Sequence, residues 1–277
     1  MERINSFGVS VMKIALTIAG SDSGAGAGIQ ADLKTFAALG VYGTSVITAV
    51  TAQNTLGVKS FQEISPEIVA DQIEAICTDF EVSAAKTGML ASSKIIDVVV
   101  QAVNRYKIAN LVVDPVMVAK SGDRLLLPDA EEALVEKLIP MALVVTPNLF
   151  EAEVLCGKKV TNIGEMKEAA KKILDYGCKG VVVKGGHLDE GAVDIFYDGT
   201  NFQELKAKKI ATKNDHGTGC TFSAAIAGFL ALGMDLSSAV VTAKEYITKA
   251  LEHSYAVGHG RSPVNHFFAT KIYQKIV

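Results

Sequence analysis

Short apolar stretches alternate with helical patterns along most of this chain, and that alternation constrains the fold more than any other feature. The apolar stretches are residues 14–20, 44–52, 84–88, 109–115, 142–148 and 180–186. Most of them are almost wholly apolar, which is typical of strands buried on both faces of a parallel sheet. The helical patterns lie at about 29–39, 66–79, 92–106, 128–138 and 164–176. We therefore predict a three-layer α/β/α sandwich, with a mainly parallel central sheet and helices on both faces.

The pattern changes in the last third of the chain. Residues 192–199 and 202–210 show polar alternation, which predicts an antiparallel pair near a sheet edge. Helical segments follow at about 217–232 and 236–256. No low-complexity linker interrupts the pattern, so we expect one domain over 12–277, without a separate lid domain, after a dispensable N-terminal extension at 1–11.

Composition excludes several classes of protein. The 27 Lys and Arg residues against 30 Asp and Glu give a net charge of −3, without the basic excess that indicates a nucleic-acid partner. No apolar run is long enough to span a membrane and no secretion signal is evident, so we expect a cytoplasmic protein. The four cysteines lack a C-x-x-C pair, which favours reduced thiols over a structural zinc site.

A glycine-rich loop follows the first predicted strand. Its glycines, at positions 20, 24, 26 and 28, permit close approach to a ligand at the start of a helix. The loop matches the glycines of a dinucleotide fingerprint, but 33–62 contains no acidic residue, which disfavours a Rossmann oxidoreductase. The sequence also lacks a P-loop and a G-x-S-x-G motif. A tight turn without a ligand stays open as an alternative.

Polar residues and one methionine follow or flank the other predicted strands: Gln53, Asn54, Lys86, Met89, Asp114, Asn148, Glu151 and Lys184. Each alone could be a helix cap or a solvated terminus, but ligands of open parallel sheets bind at this shared edge. Glu151 could bind Mg²⁺, and Lys184 could neutralise the oxygens of a transferring phosphate.

The motif "DHGTGC" at 215–220 supplies an anion site. It places the backbone amides of Gly217, Thr218, Gly219 and Cys220 at a helix N-terminus, which attracts negative charge. Together with Glu151 and Lys184, this motif predicts a metal-dependent phosphotransferase that needs no P-loop.

Long ordered motifs also carry a family resemblance. The segments "LTIAGSDSGAGAGIQADLKTF", "GVYGTSVITAVTAQNT", "KTGML", "DPVMVAKSGDRLL", "TPNLFEAE", "VVVKGGH" and "NDHGTGCTFSAAIA" resemble the hydroxymethylpyrimidine and phosphomethylpyrimidine kinases of thiamine biosynthesis, in the ribokinase-like superfamily. The resemblance runs from about Met12 to the "GHGRSPVNHF" tail. It implies an ATP- and Mg²⁺-dependent enzyme that phosphorylates 4-amino-5-hydroxymethyl-2-methylpyrimidine and then its monophosphate.

The resemblance also implies roles for individual residues. Gln53 would hydrogen-bond the aminopyrimidine edge, inside walls formed by Gly20, Ala27, Met89 and Val116. Asn148 and Glu151 match an N-x-x-E motif that organises Mg²⁺. The residues along the ATP phosphates would be Asp114, Lys184, Thr218 and Gly219.

Cys220 stands where many ribokinase-like enzymes carry an aspartate that takes the acceptor's proton. Because a helix N-terminus lowers the pKa of a thiol, we expect Cys220 to be the general base, with Lys184, Gly217 and Gly219 stabilising charge. The alternatives are a pyridoxal or pyridoxine kinase and, more remotely, a non-catalytic vitamin-binding sensor. We also expect a homodimer, and a mobile loop at 119–126 that closes the site.

Overall fold

The computed structural model describes residues 12–117, 126, 128–186 and 191–270. The expected extension at 1–11 lies outside the described residues, as does the expected closing loop apart from Leu126. Within the described part of the chain, no helix is both long enough and apolar enough to cross a membrane.

In these ranges nine strands form a single sheet. They are β1 (Ile14–Asp22), β2 (Tyr42–Asn54), β3 (Gly57–Glu63), β4 (Val82–Thr87), β5 (Leu111–Val113), β6 (Val144–Val145), β7 (Val181–Val183), β8 (Ala192–Tyr197) and β9 (Phe202–Ala207). The strand order is β3-β2-β1-β4-β5-β6-β7-β8-β9. The six strands from β2 to β7 in that order run parallel. β3, β8 and β9 each pair antiparallel with a neighbour, so the predicted antiparallel pair at a sheet edge is confirmed.

Helices cover both faces of the sheet. They are α1 (Gly28–Ala38), α2 (Pro66–Asp79), α3 (Ser93–Tyr106), α4 (Pro128–Ala133), α5 (Leu149–Cys156), α6 (Ile163–Leu174), α7 (Thr218–Ala231) and α8 (Leu236–Glu252). Helices α2 to α6 pack against one face, where Leu16 and Ile18 of β1 point. Helices α1, α7 and α8 pack against the other face, where Ala15 points. The predicted α/β fold with a mainly parallel sheet is therefore confirmed.

The ends of the helices follow from local sequence. Ser65 accepts a hydrogen bond from the Ile68 amide at the start of α2, and Asp235 accepts one from the Ser238 amide at the start of α8. Helix α8 ends at Glu252 rather than at 256. The chain folds back there, and the Asn265 amide donates to the carbonyl of Ala250.

Two elements were absent from the sequence prediction. Strand β3 is largely exposed at the sheet edge, so its sequence carries no apolar alternation. Helix α5 has only 8 residues, too short for a clear helical period, but Asn148 and Glu151 form a capping box and Gly157 a left-handed C-cap. Those capping signals could have located α5.

The chain order creates a crevice beside β1. From β1 the chain passes through α1 to β2 and β3 on one side, and then crosses through α2 to β4 on the other side of β1. Because α1 and α2 lie on opposite faces, the connections diverge at the carboxyl ends of β1 and β4. Such a switch point is where open α/β sheets bind ligands.

Candidate active site

A cleft of about 500 Å³ lies at this switch point. It is lined by twelve of the thirteen residues predicted for the site, namely Gly20, Ala27, Gln53, Met89, Asp114, Val116, Asn148, Glu151, Lys184, Gly217, Gly219 and Cys220. Thr218 is not among the lining residues. Its hydroxyl donates to the Asp215 carbonyl at 2.6 Å, so the side chain braces the turn instead of facing the cleft.

One end of the cleft holds a buried ion pair. Lys184 Nζ donates to Asp114 Oδ1 at 2.8 Å, and Thr146 and Ser223 donate their hydroxyls to the same carboxylate. Burial opposes both charges, but Lys184 lowers the pKa of Asp114, and Asp114 in turn raises the pKa of Lys184. Both groups are therefore charged, and the lysine side chain lies at the cleft wall.

Asn148 and Glu151 form the capping box of α5. The Glu151 amide donates to Asn148 Oδ1 at 2.9 Å, and the Asn148 amide donates to Glu151 Oε2 at 2.8 Å. Burial raises the pKa of Glu151 to about 7, against the lowering effect of nearby Lys184. The predicted magnesium motif is thus also a helix cap, whose carboxylate lines the cleft.

The donors near Glu151 fit a magnesium ion. Among the described residues, no group of three or more His, Cys, Asp or Glu side chains could hold a metal. Mg²⁺ commonly takes one or two carboxylates and completes its shell with water and substrate phosphates. Because the pKa of the buried Glu151 carboxylate is near 7, a bound divalent cation would readily displace its proton.

The N-terminus of α7 opens into the same end of the cleft. Gly217 precedes the helix with φ of 76°, and no side chain caps this end. A Cβ at Gly217 would lie 1.8 Å from the Gly26 carbonyl oxygen, so glycine is required where the two loops meet. First-turn amides lack intrahelical acceptors, and they carry the positive end of the helix dipole. The Thr218 amide donates to the Asp215 carbonyl at 3.3 Å, so the predicted anion site rests on the neighbouring amides of Gly219 and Cys220.

Cys220 departs from one expectation. Burial raises the pKa of its thiol to about 11, outweighing the lowering effect of Lys86 and of a hydrogen bond from the Gly28 amide. The expectation that the thiol accepts a proton near neutrality, because of its place at a helix N-terminus, is therefore wrong for the ligand-free protein. Burial was not visible in the sequence, and two nearby carboxylates, Asp32 and Asp114, raise the pKa further.

A second buried ion pair, absent from the predicted site, also borders the cleft. Lys86 Nζ lies 2.9 Å from Asp32 Oδ2, both side chains are 0% exposed, and the Thr17 hydroxyl donates to the same oxygen at 2.6 Å. The Asp32 carboxylate raises the pKa of Lys86 despite its burial. A lysine inside an otherwise apolar strand was the available signal, since a lysine is buried there only with a partner.

The other end of the cleft is mostly neutral. Met89 and Val116 form a small apolar cluster with Ala49 and Ala91, separate from the two main cores. A Cβ at Gly20 would lie 3.3 Å from Met89 Sδ, so the glycine keeps this pocket open. The amide of Gln53 is one of the neutral polar groups that line the cleft.

Asp22 and His216, also absent from the predicted site, tie the glycine-rich loop to the anion turn. Asp22 Oδ2 lies 2.9 Å from His216 Nε2 and accepts the amides of Gly26 and Ala27 at 3.0 and 2.8 Å. Burial alone would raise the pKa of Asp22, but these hydrogen bonds hold it below its ordinary value. The signal was an aspartate opening a glycine-rich loop, which typically accepts loop amides.

The fold is that of a class of protein, the α/β small-molecule kinases, and the sequence has no P-loop motif. The family model described as phosphomethylpyrimidine kinase matches residues 22–265, and the chain belongs to that family. It is therefore a phosphotransferase, and kinase membership implies ATP as the phosphoryl donor. A non-catalytic sensor is thereby disfavoured.

Similar proteins agree with this placement. The hydroxymethylpyrimidine/phosphomethylpyrimidine kinase of Rhizobium meliloti is 53% identical over 258 residues, 92% of this chain and 97% of that protein. The thiamine biosynthesis bifunctional protein ThiED of Geobacter sulfurreducens is 48% identical over 92% of this chain, which spans 52% of ThiED. A crystal structure of Bacillus subtilis pyridoxal kinase with ADP superposes with a TM-score of 0.87 at 42% identity, covering 92% of this chain and 98% of that one.

Proposed function

We propose that this chain transfers the γ-phosphoryl group of MgATP to the hydroxymethyl group of 4-amino-5-hydroxymethyl-2-methylpyrimidine, and then to the resulting monophosphate. One observation carries the proposal. A single cleft joins a neutral ring pocket, which contains the Gln53 amide, to an uncapped helix N-terminus beside Lys184 and Glu151.

The ring pocket suits an aminopyrimidine. Met89 and Val116, with the side-chain-free Gly20 beside Met89, offer a mostly apolar wall to a flat ring. A glutamine amide both donates and accepts hydrogen bonds, so Gln53 can pair with a ring nitrogen and an exocyclic amine together. Ala27, at the start of α1, completes a wall that offers no charge to the ring.

The phosphate end suits phosphoryl transfer. The amides of Gly219 and Cys220, together with the Lys184 ammonium, hold negative charge on the transferring group. Gly217 leaves those amides uncovered, and Asp114 fixes Lys184 in place. Magnesium, held through Glu151 and arranged by Asn148, would supply charge neutralisation between the phosphates.

Cys220 lines the cleft next to Gly219, which places its side chain for proton transfer. With its pKa near 11, the thiol is protonated at neutral pH, so the base form is a small fraction that grows with pH. The acceptor hydroxyl must lose its proton as the phosphoryl group is transferred to it. We assign Cys220 the acceptance of that proton.

A pyridoxal or pyridoxine kinase is the second candidate, because the Bacillus subtilis pyridoxal kinase superposes with a TM-score of 0.87. Both substrates carry a hydroxymethyl group on a six-membered heterocycle. The ring edge beside Gln53 separates them, because an aminopyrimidine presents an amine and a ring nitrogen side by side.

An ADP-release assay tests the proposal with hydroxymethylpyrimidine, its monophosphate and pyridoxine as acceptors under identical conditions. We expect kcat/KM to be higher for both pyrimidines than for pyridoxine. A higher kcat/KM for pyridoxine would replace the first candidate with the second.

A further inference from the structure

We propose that Asp22 and His216 are positioning residues that fix the amide orientation of Gln53, and that they thereby set the preference for an aminopyrimidine edge. This inference rests on the proposed function and deepens it. Three contacts carry it, one on each side of the Gln53 amide and one that holds His216 itself.

The first contact is made by His216. Its Nε2 lies 2.9 Å from Asp22 Oδ2, and a carboxylate with a lowered pKa can only accept, so Nε2 carries a hydrogen. As placed, Gln53 Nε2 lies 3.3 Å from the same His216 Nε2. An amide nitrogen there would set two donors against each other, whereas an amide oxygen shares the Nε2 hydrogen with Asp22. The Gln53 oxygen therefore belongs on the His216 side.

The second contact is made by Thr51. Its hydroxyl has a single hydrogen, which it donates to the Ser21 carbonyl at 2.9 Å. As placed, Gln53 Oε1 lies 3.3 Å from this hydroxyl oxygen, whose one hydrogen is already donated to Ser21, whereas an amide nitrogen at that position could donate to the hydroxyl. The Gln53 nitrogen therefore belongs on the Thr51 side. Because the two atoms of an amide have nearly the same shape, such partners decide which is which, and both partners agree.

The consequence concerns what Gln53 offers a ligand. A terminal amide has two lone pairs and two N–H groups. His216 occupies one lone pair and Thr51 occupies one N–H, which leaves one acceptor and one donor for the cleft. An exocyclic amine next to a ring nitrogen supplies the matching donor and acceptor. A ring without the amine leaves the Gln53 oxygen without that partner.

The third contact holds His216 in place. A Cβ at Gly26 would lie 2.2 Å from His216 Cδ2, so the ring packs directly on the glycine. Asp22 receives the amides of Gly24, Gly26 and Ala27, and the His216 amide donates to the Ser262 carbonyl. The imidazole is thus fixed from both loops, and its orientation does not depend on a bound ligand.

The test compares His216→Leu with His216→Gln, since a glutamine amide can still donate toward Asp22 and Gln53. We expect the KM for hydroxymethylpyrimidine to rise about tenfold in His216→Leu, the worth of a lost oriented hydrogen bond, and to stay within about threefold in His216→Gln. The KM for ATP should stay within about twofold in both. His253→Leu, at an exposed histidine, is the matched control, and its KM values for the pyrimidine and for ATP should both be unchanged.

A second pair of variants tests the same inference if the His216→Leu protein does not fold. Thr51→Val removes the oxygen that accepts from Gln53, whereas Thr51→Ser keeps it. We expect a rise in pyrimidine KM of about threefold or more for Thr51→Val and little change for Thr51→Ser. An unchanged pyrimidine KM in Thr51→Val, or in a folded His216→Leu, would overturn the inference.

The unaltered enzyme separates this outcome from failure of the proposed function. If it phosphorylates hydroxymethylpyrimidine normally while the variants keep the same KM, only the positioning role is wrong. If it does not phosphorylate the pyrimidine at all, the proposed function falls and the inference falls with it.

Discussion

The two ends of the cleft differ in the charge of the side chains that line them. The ring end presents mainly Gly20, Met89, Val116 and the Gln53 amide, whereas the phosphate end presents the Asp114–Lys184 ion pair and the Glu151 carboxyl group. The ring end thus selects by shape and a single hydrogen-bonding edge. The phosphate end acts through charge that is fixed before any ligand arrives.

The difference has consequences for substitution. A buried charge is costly unless it is paired, and each charge at the phosphate end has a named partner. Removing one member therefore disturbs catalysis and stability together. The neutral residues of the ring end, Met89, Val116 and Gln53, can change with a smaller effect on the fold, whereas Asp22 beside them is a buried charge held by His216 and loop amides. Changes at the phosphate end should lower kcat, and changes at the ring end should raise the pyrimidine KM.

The largest expected effect is that of Lys184→Met. Loss of the ammonium removes a stabilising charge from the transferring phosphoryl group, so kcat should fall by about 10³-fold in a steady-state assay. Lys206→Met, which removes a surface lysine paired with Glu204 on β9, is the control. A kcat within about tenfold of the unaltered enzyme would remove Lys184 from the mechanism.

Cys220→Ala should lower kcat by about 10²-fold, the usual contribution of a general base. Because the thiol pKa is about 11, the base form increases with pH, so kcat should rise more steeply from about pH 6 to about pH 9 in the unaltered enzyme than in Cys220→Ala. A pH series of kcat measures both effects. Cys77→Ala, in half-buried surroundings on α2, is the control. Equal kcat profiles for Cys220→Ala and the unaltered enzyme would leave the backbone amides as the whole anion site.

At the ring end, Gln53→Leu should raise the pyrimidine KM with little change in the KM for ATP. The ring edge would lose its partner at a cost of about 1 to 3 kcal/mol, or roughly tenfold. Initial rates over a range of both substrates give the two constants. Gln101→Leu, on the exposed side of α3, is the control. A parallel rise in both constants would place Gln53 outside the ring pocket.

The smallest effect concerns stability. The pKa of Glu151 is about 7 in the folded protein and ordinarily 4.5, so the folded state favours the protonated form. Its contribution is complete below about pH 4.5 and is lost as the pH rises through 7. Glu151→Gln should therefore raise the Tm of the ligand-free protein by a few degrees at about pH 8 but not at about pH 4.5. Glu168→Gln, on the exposed side of α6, is the control and should show no such pH dependence. An equal gain in Tm at both pH values for Glu151→Gln would refute the raised pKa of Glu151.

Much of the fold could be predicted from the alternation of apolar stretches and helical patterns along the sequence. The buried strands and long helices were predicted because burial on two faces requires continuous apolar stretches. Strand β3 and helix α5 were missed, since one is exposed and the other has only 8 residues. The homodimer, the cytoplasmic location and the single-domain boundary stay predictions.

The site followed from a different kind of signal. Glycines and polar residues at strand ends identified the cleft, because parallel strands bring their carboxyl ends to one edge. The partners of those residues were not predictable. Asp22 and His216 are 194 positions apart, and Asp32 meets Lys86 across 54 positions, so only the folded chain brings them together. The pKa of Cys220 likewise depends on burial that the sequence does not record.

The most direct measurement is the calorimetric Kd of hydroxymethylpyrimidine, without ATP, for the unaltered enzyme, Gln53→Leu and Lys184→Met. We expect Gln53→Leu to weaken binding about tenfold and Lys184→Met to leave Kd within about twofold, because only the former touches the ring. Binding that is weakened in Lys184→Met and unchanged in Gln53→Leu would contradict the division of the cleft into a neutral ring end and a charged phosphate end.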